Sequence, residues 1–156
     1  PKNRGIMSDN ENVLKLDNQL CFPLYACAKE IVRRYKPFLD EIDLTYTQYI
    51  TMMALWEDKK LTVKELGKRL FLDSGTLTPL LKRLEQKGLV KRERDSEDER
   101  VLIVSITEAG EALREQAVSI PYRMTECVKL DREDAAELYR SLHKMLGSFE
   151  QETLHV

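Results

Sequence analysis

The most reactive side chains in this 156-residue chain are three cysteines, Cys21, Cys27 and Cys127, set among six tyrosines. A thiol is a nucleophile only as the thiolate, and phenol hydroxyls that donate hydrogen bonds can hold that charge. Tyr25 follows Cys21 by four residues, so the two share a face if the stretch is helical. Phe22 and Leu24 beside it would supply an apolar surround. Cys27 is six residues from Cys21, a rotation of about 600°, or about 240° net, on a helix, so the two thiols point apart. Cys27 is therefore expected to pack. On residue chemistry alone Cys21 also reads as structural, since cysteine is more often buried packing than a reactive centre. An odd set of three, widely spaced, does not suggest a secreted disulfide scaffold. Metal chemistry is poorly supplied: the histidines are His143 and His155, and no CxxC or HExxH spacing occurs.

A second group of polar residues lies in Leu72–Arg94, LDSGTLTPLLKRLEQKGLVKRER. Leu77, Leu80, Leu81 and Leu84 recur at i, i+3, i+4 and i+7, which predicts one apolar stripe on a helix. Asp73 or Ser74 can cap it, Pro79 predicts a slight distortion, and Gly88 supplies the left-handed stop. The opposite face carries Ser74, Thr76, Thr78, Lys82, Arg83 and Gln86. Just upstream, Thr62 and Glu65 make a capping box for a short helix over Leu61–Phe71, with Val63, Leu66 and Leu70 inward. Two short helices joined by a tight turn, the second polar and basic outside, predict a helix-turn-helix. A strand near Val90–Arg94, a charged turn and an alternating strand near Val101–Ile106 predict a basic wing. Ser74, Thr76, Thr78, Lys82 and Arg83 suit bases or phosphates, and Arg100 suits a narrow minor groove. Lys91, Arg92 and Arg94 suit the DNA backbone. The competing reading is an ordinary helical domain with a solvated face.

The net charge of −2 argues at first against nucleic acid. Its distribution does not. Lys60–Val104 carries 11 basic and 8 acidic residues, so the reading head is positive while the rest of the chain is acidic. Fields are local, screened within about 8–10 Å at ordinary ionic strength. No apolar run approaches the roughly 20 residues of a membrane span, and no secretory signal is visible, so a cytoplasmic location is expected. PKNRGI, residues 1–6 ahead of Met7, reads as an expression remnant. The length predicts one compact domain.

The remaining elements read as helices. Leu16–Leu39 predicts one long helix with Leu20, Leu24, Ala28 and Ile31 on one side, kinked near Leu20 by Pro23 and ended or bent again at Pro37. Thr45 or Thr47 caps a helix expected to place Ile50, Met53, Ala54 and Trp56 in the core. Thr107 caps another, Pro121 predicts a turn or bend, and Asp131 opens a last helix striped by Leu138, Leu142, Met145 and Phe149. The fold class is therefore mainly α with a two-stranded β wing, a winged helix-turn-helix. The terminal helices hold more apolar surface than one small core needs, which predicts a homodimer on a pseudo-palindromic operator.

LDSGTLTPLLKRLEQKGLV, the wing DSEDERVLIVSIT and the flanking helices resemble the MarR family of bacterial regulators. LDNQLCFPLYACAKE, YKPFLDEIDLTYTQY and FLDSGTLTPLLKRLE are similar to its organic hydroperoxide resistance regulators, over residues 15–150. The resemblance implies a dimeric repressor that leaves its operator when an organic hydroperoxide oxidises one N-terminal cysteine, with no cofactor. It makes Cys21 the sensor, with Tyr35 and Tyr46 from the partner subunit and Tyr25 nearby, beside the apolar surround of Phe22 and Leu24. It places Arg100 in the minor groove, oriented by Asp98. It also sets Cys127 close to the resolving cysteine of the two-cysteine subgroup, to trap a sulfenic acid on Cys21 of the other subunit. The alternative is an idle Cys127, with a small thiol capping Cys21. On this resemblance residues 7–46 form the dimerising and sensor region, 47–107 the DNA-binding region and 108–156 the C-terminal dimerisation helices. A regulator released by a phenolic ligand without cysteine chemistry is the nearest alternative; a thiol peroxidase or a metal sensor stands further off.

Overall fold

The computed structural model describes residues 10–153. The expected remnant at residues 1–6 and His155 lie outside the described residues. Two compact units divide after Tyr122.

The first unit opens with a short helix α1 (Asn10–Val13), a 3-10 turn (Leu16–Asn18) and the long helix α2 (Cys21–Asp40). This corrects the single kinked helix expected from Leu16. The Gln19 side-chain amide donates to the carbonyls of Val13 at 2.7 Å and Lys15 at 2.8 Å, folding the approach back before the helix begins. Pro23 is the third residue of α2, where its missing N–H would have found no partner anyway, so it starts the helix instead of breaking it. Pro37 likewise sits inside α2, which runs on to Asp40.

Helix α3 (Tyr46–Asp58) is the centre of the core. Thr45 caps it reciprocally: its hydroxyl accepts from the Gln48 N–H at 3.3 Å, and the Gln48 side-chain oxygen accepts from the Thr45 N–H at 3.1 Å. The buried residues are Gln48, Tyr49, Thr51, Met52, Ala54 and Leu55. Of the four core positions expected, only Ala54 is buried; Met53 is 43% exposed, and Ile50 and Trp56 are half-buried. The phase misleads because α3 is enclosed by α2, by the reading head and by a later helix, and so buries more than one stripe. Trp56 stays at the rim, where its indole N–H donates to the Gly110 carbonyl at 2.8 Å.

The helix-turn-helix forms as expected. Helix α4 (Val63–Leu70) has the Thr62–Glu65 capping box. Helix α5 (Ser74–Gln86) is capped by Asp73, which accepts from the Thr76 N–H at 2.7 Å, and runs unbroken through Pro79. Leu77, Leu80, Leu81 and Leu84 are at most 6% exposed. In the turn, Phe71 takes a left-handed φ of 54° and the Leu72 N–H returns to the Gly67 carbonyl at 3.0 Å. A Cβ on Gly67 would lie 2.8 Å from the Leu72 carbonyl oxygen, so the turn is closed by the absence of a side chain.

The wing strands β2 (Val90–Arg94) and β3 (Leu102–Ile106) pair antiparallel, and a third strand β1 (Lys60–Thr62) joins on the other side of β3. Three residues abutting a helix cap are too few to show alternation, which is why β1 went unread. Thr107 caps α6 (Glu108–Ala117), and α7 (Ser119–Cys127) follows. Pro121 lies in the first turn of α7, directly after the turn at Val118 that separates α6 from α7, as the expected turn or bend. In the second unit, α8 (Arg132–Thr153) opens with the Asp131 carboxylate accepting from the Asp134 N–H at 2.8 Å. Leu138 and Phe149 on α8 are exposed, while Leu142 and Met145 are half-buried. No described helix is long and apolar enough to cross a membrane.

Gly67→Ala should destabilise the protein by about 2 kcal/mol, because the clash is with backbone and cannot be relieved by a side-chain rotation. Urea unfolding of both proteins measures this, as a lower midpoint at unchanged slope.

Candidate nucleic-acid interface and thiol site

The outer side of α5 and the wing carry most of the polar residues singled out from sequence. With the apolar stripe of α5 turned inward, Ser74, Thr76, Thr78, Lys82, Arg83 and Gln86 are all exposed. The hairpin turn between β2 and β3 holds Asp98 and Arg100. Arg100 donates through Nε to Asp98 Oδ1 at 3.0 Å and through Nη2 to Oδ2 at 3.2 Å, and its backbone N–H donates to Oδ1 at 3.1 Å. These bonds, the guanidinium's first, hold the Asp98 carboxyl below its usual range. The Arg100 side chain is nevertheless 91% exposed, so it is oriented yet open to a ligand. Arg94 is exposed on β2, and Lys91 pairs with Glu93 at 2.7 Å. Arg92 differs from these. It is only 21% exposed and pairs with Glu85, a residue the sequence reading passed over. Glu85 is the single acidic residue within the reading helix, and that oddity was the available signal.

Cys21 is the first residue of α2 and exposed, at the end of a helix where the dipole favours negative charge. Tyr25 is 62% exposed one turn on, with the Lys29 ammonium 5.6 Å from its ring centroid, and Phe22 is 43% exposed. Cys27 is exposed as well, which corrects the expectation that it packs. Its face of α2 is not covered by the described residues. Cys127 is half-buried at the end of α7, and none of the three is in a disulfide.

Tyr35 and Tyr46 do come together, with ring centroids 5.0 Å apart. Tyr49, which the sequence reading missed, completes a trio at 5.8 Å from Tyr35 and 6.3 Å from Tyr46. Its signal was the i, i+3 spacing from Tyr46 in TYTQY. Burial raises all three phenols, Tyr49 to about 12 with Tyr35 and Tyr46 adding to the effect. At neutral pH each is an O–H donor. The trio is not beside Cys21. Tyr35 lies fourteen residues along the same helix, about 21 Å at a helical rise of about 1.5 Å per residue. Next to Tyr49, an open cavity of about 440 Å³ is lined by Met53, Trp56, Arg114, Val118 and Tyr122. Among the described residues no three His, Cys, Asp or Glu side chains are grouped to hold a metal ion.

Residues 33–116 match the family described as transcriptional regulator SarA/Rot. The chain is 48% identical over 149 residues to the organic hydroperoxide resistance transcriptional regulator of Bacillus subtilis (strain 168), covering 96% of this chain and 98% of that one. Among solved structures, reduced AbfR bound to DNA is 34% identical and superposes with a TM-score of 0.74, over 90% of this chain and 97% of AbfR. AbfR from Staphylococcus epidermidis is also similar in its disulfide form, with a TM-score of 0.63 at 34% identity over 90% of this chain and 96% of that one. A winged reading head of this geometry, in a chain this similar to such regulators over nearly its whole length, belongs to the MarR family of transcriptional regulators, in the branch of organic hydroperoxide resistance regulators.

Proposed function

We propose that the protein is a homodimeric repressor that binds a pseudo-palindromic operator and leaves it when an organic hydroperoxide oxidises Cys21. The observation that carries this reading is the separation of Cys21 from the tyrosine trio. The thiol and the protonated phenols suited to hold its charge are about 21 Å apart along α2, so one chain cannot assemble them. A second chain can, if Cys21 of one subunit meets Tyr35 and Tyr46 of the other. Surface for such a dimer is available: Leu14, Leu16 and Leu20 are 86%, 57% and 75% exposed at the N-terminal end, and Leu138, Tyr139 and Phe149 are exposed on α8.

The chemistry balances without a cofactor. The Cys21 thiolate attacks the terminal oxygen of the hydroperoxide, the O–O bond breaks, an alcohol leaves after taking a proton, and a sulfenic acid remains. Cys127 of the partner subunit then attacks that sulfur, water leaves, and an intersubunit disulfide forms. The relative solved in a disulfide form supports this second step. On the DNA side, Ser74, Thr76, Thr78, Lys82 and Arg83 enter the major groove, Arg94 meets the backbone, and Arg100, held by Asp98, enters the minor groove. The open cavity beside Tyr49, lined by Trp56, Tyr122, Glu57 and Arg114, favours one second reading: release by a small phenolic ligand with no change at sulfur.

Fluorescence anisotropy on operator DNA, before and after cumene hydroperoxide, separates the two. Wild type should be released and Cys21→Ser should stay bound; release of both proteins, or of neither, would remove Cys21 from the mechanism and leave the ligand reading standing. On a non-reducing gel the peroxide-treated wild type should run as a covalent dimer, and Cys127→Ser as a monomer. A monomer from wild type would remove the cross-link. Arg100→Ala should weaken operator binding roughly tenfold or more, and equal affinity across a salt series would refute its role.

A further inference from the structure

An acidic residue on a helix that faces phosphates is a liability unless it is used. Glu85 is used. Its Oε2 accepts the backbone N–H of Arg92 at 3.0 Å, and its Oε1 accepts from Arg92 Nη2 at 3.1 Å. Strand β2 is at the edge of the sheet, so this N–H is available on its open side, and the carboxylate takes it. The grip therefore includes main chain, which ties the strand itself to α5. Arg92 Nε is buried with no hydrogen-bond partner among the described residues, so the guanidinium is turned into the protein and toward Glu85. The two hydrogen bonds from Arg92, side chain first, hold the Glu85 carboxyl below its usual range.

The place of this contact gives it leverage. Only Lys87, Gly88 and Leu89 connect α5 to β2, and Gly88 has φ +75° with nothing within 4 Å of where a Cβ would stand. The joint is itself held at its carbonyls, Gly88 O by the Thr107 hydroxyl at 2.6 Å and Leu89 O by the Thr107 N–H at 3.1 Å, and the Glu85–Arg92 contact adds a direct tie between α5 and the hairpin beyond it. From Arg92 to the turn that holds Asp98 and Arg100 is about 20 Å of extended chain at most. A swing of roughly 10° at the joint moves the tip by roughly 3 Å, enough to take a guanidinium out of hydrogen-bond reach.

We infer that Glu85, acting through Arg92, fixes the pitch of the wing against the reading helix, and so sets the offset between the major-groove and minor-groove contacts. Glu85 is a positioning residue for DNA recognition, and Arg92 is its partner rather than a phosphate ligand. This rests on the DNA-binding reading above.

The test uses full-length wild type, E85Q, R92M and the double variant on a duplex that wild type selects from a random-sequence pool. Guanine methylation reports the major groove, and hydroxyl-radical cleavage reports the flanking minor groove. E85Q and R92M should keep the major-groove protection, lose the flanking minor-groove protection and bind about tenfold more weakly. The double variant should bind no more weakly than the weaker single one. Loss of the wing contact alone should change the slope of log affinity against log salt equally in E85Q and R92M; a slope that falls by about 0.9 further in R92M than in E85Q would make Arg92 a phosphate ligand and overturn the inference. Full flanking protection in both E85Q and R92M would overturn it too. Should E85Q not give the wild-type circular dichroism spectrum, R92M decides by the same footprint. A wild type that selects no sequence at all defeats the DNA-binding reading and this inference together, whereas a wild-type footprint kept intact in the variants defeats the inference alone.

Discussion

The rigidity of one helix governs how this protein can sense anything. Helix α2 carries Cys21 at its first residue and Tyr35 fourteen residues later, and hydrogen-bonded backbone between them keeps the two ends about 21 Å apart. A thiol that needs donors to carry charge therefore cannot find these phenols in its own chain. The phenols of Tyr35 and Tyr46, for their part, are packed against one another and against Tyr49, and burial pushes them above the usual phenol range. Each half of the proposed site is made and left incomplete by the same fold. On the proposed reading, that arrangement ties oxidation chemistry to a dimer, and such a dimer would fix where two reading heads stand on DNA.

The reading head meets a different demand, which is to present polar groups without spending them. The leucine stripe of α5 and the caps at Thr62 and Asp73 satisfy the internal requirements of the helix-turn-helix, so the outer hydroxyls and cations stay exposed. Asp98 and Glu85 then act as internal partners for two of the arginines. The first leaves Arg100 91% exposed and oriented; the second draws Arg92 inward until it is 21% exposed. Each carboxylate accepts both the backbone N–H and the guanidinium of its arginine, so the difference lies in place: Glu85 stands on a helix beside the edge strand, and Asp98 stands in the exposed turn of the hairpin.

Much of this was legible in the sequence because it is local. The capping boxes, the stripe Leu77, Leu80, Leu81 and Leu84, the stop at Gly88 and the alternating strand into Ile106 depend on neighbours a few residues away. What was missed depends on tertiary surroundings. The core phase of α3 could not be read from one stripe, because the helix is enclosed on several sides. Pro23 looked like a kink only because the start of α2 was placed too early. Strand β1 is defined by its pairing with β3 alone. Cys27 looked like packing because nothing in its spacing reveals that its face of α2 is left uncovered by the described residues. Tyr49 and Glu85 were both visible as residue types, but their roles appear only when Tyr35 and Arg92 arrive from elsewhere.

The central claim is that the oxidised sulfur and the phenols that serve it belong to different subunits. It is tested most directly by a mixed dimer pairing one Cys21→Ser subunit with one Tyr35→Phe, Tyr46→Phe subunit, followed by the rate of sulfenic acid formation with cumene hydroperoxide. A site shared between subunits predicts the wild-type rate per remaining thiol, since the surviving Cys21 still faces intact tyrosines. A rate as low as that of the Tyr35→Phe, Tyr46→Phe homodimer, where that homodimer is slower than wild type, would place thiol and tyrosines in one chain and contradict the account.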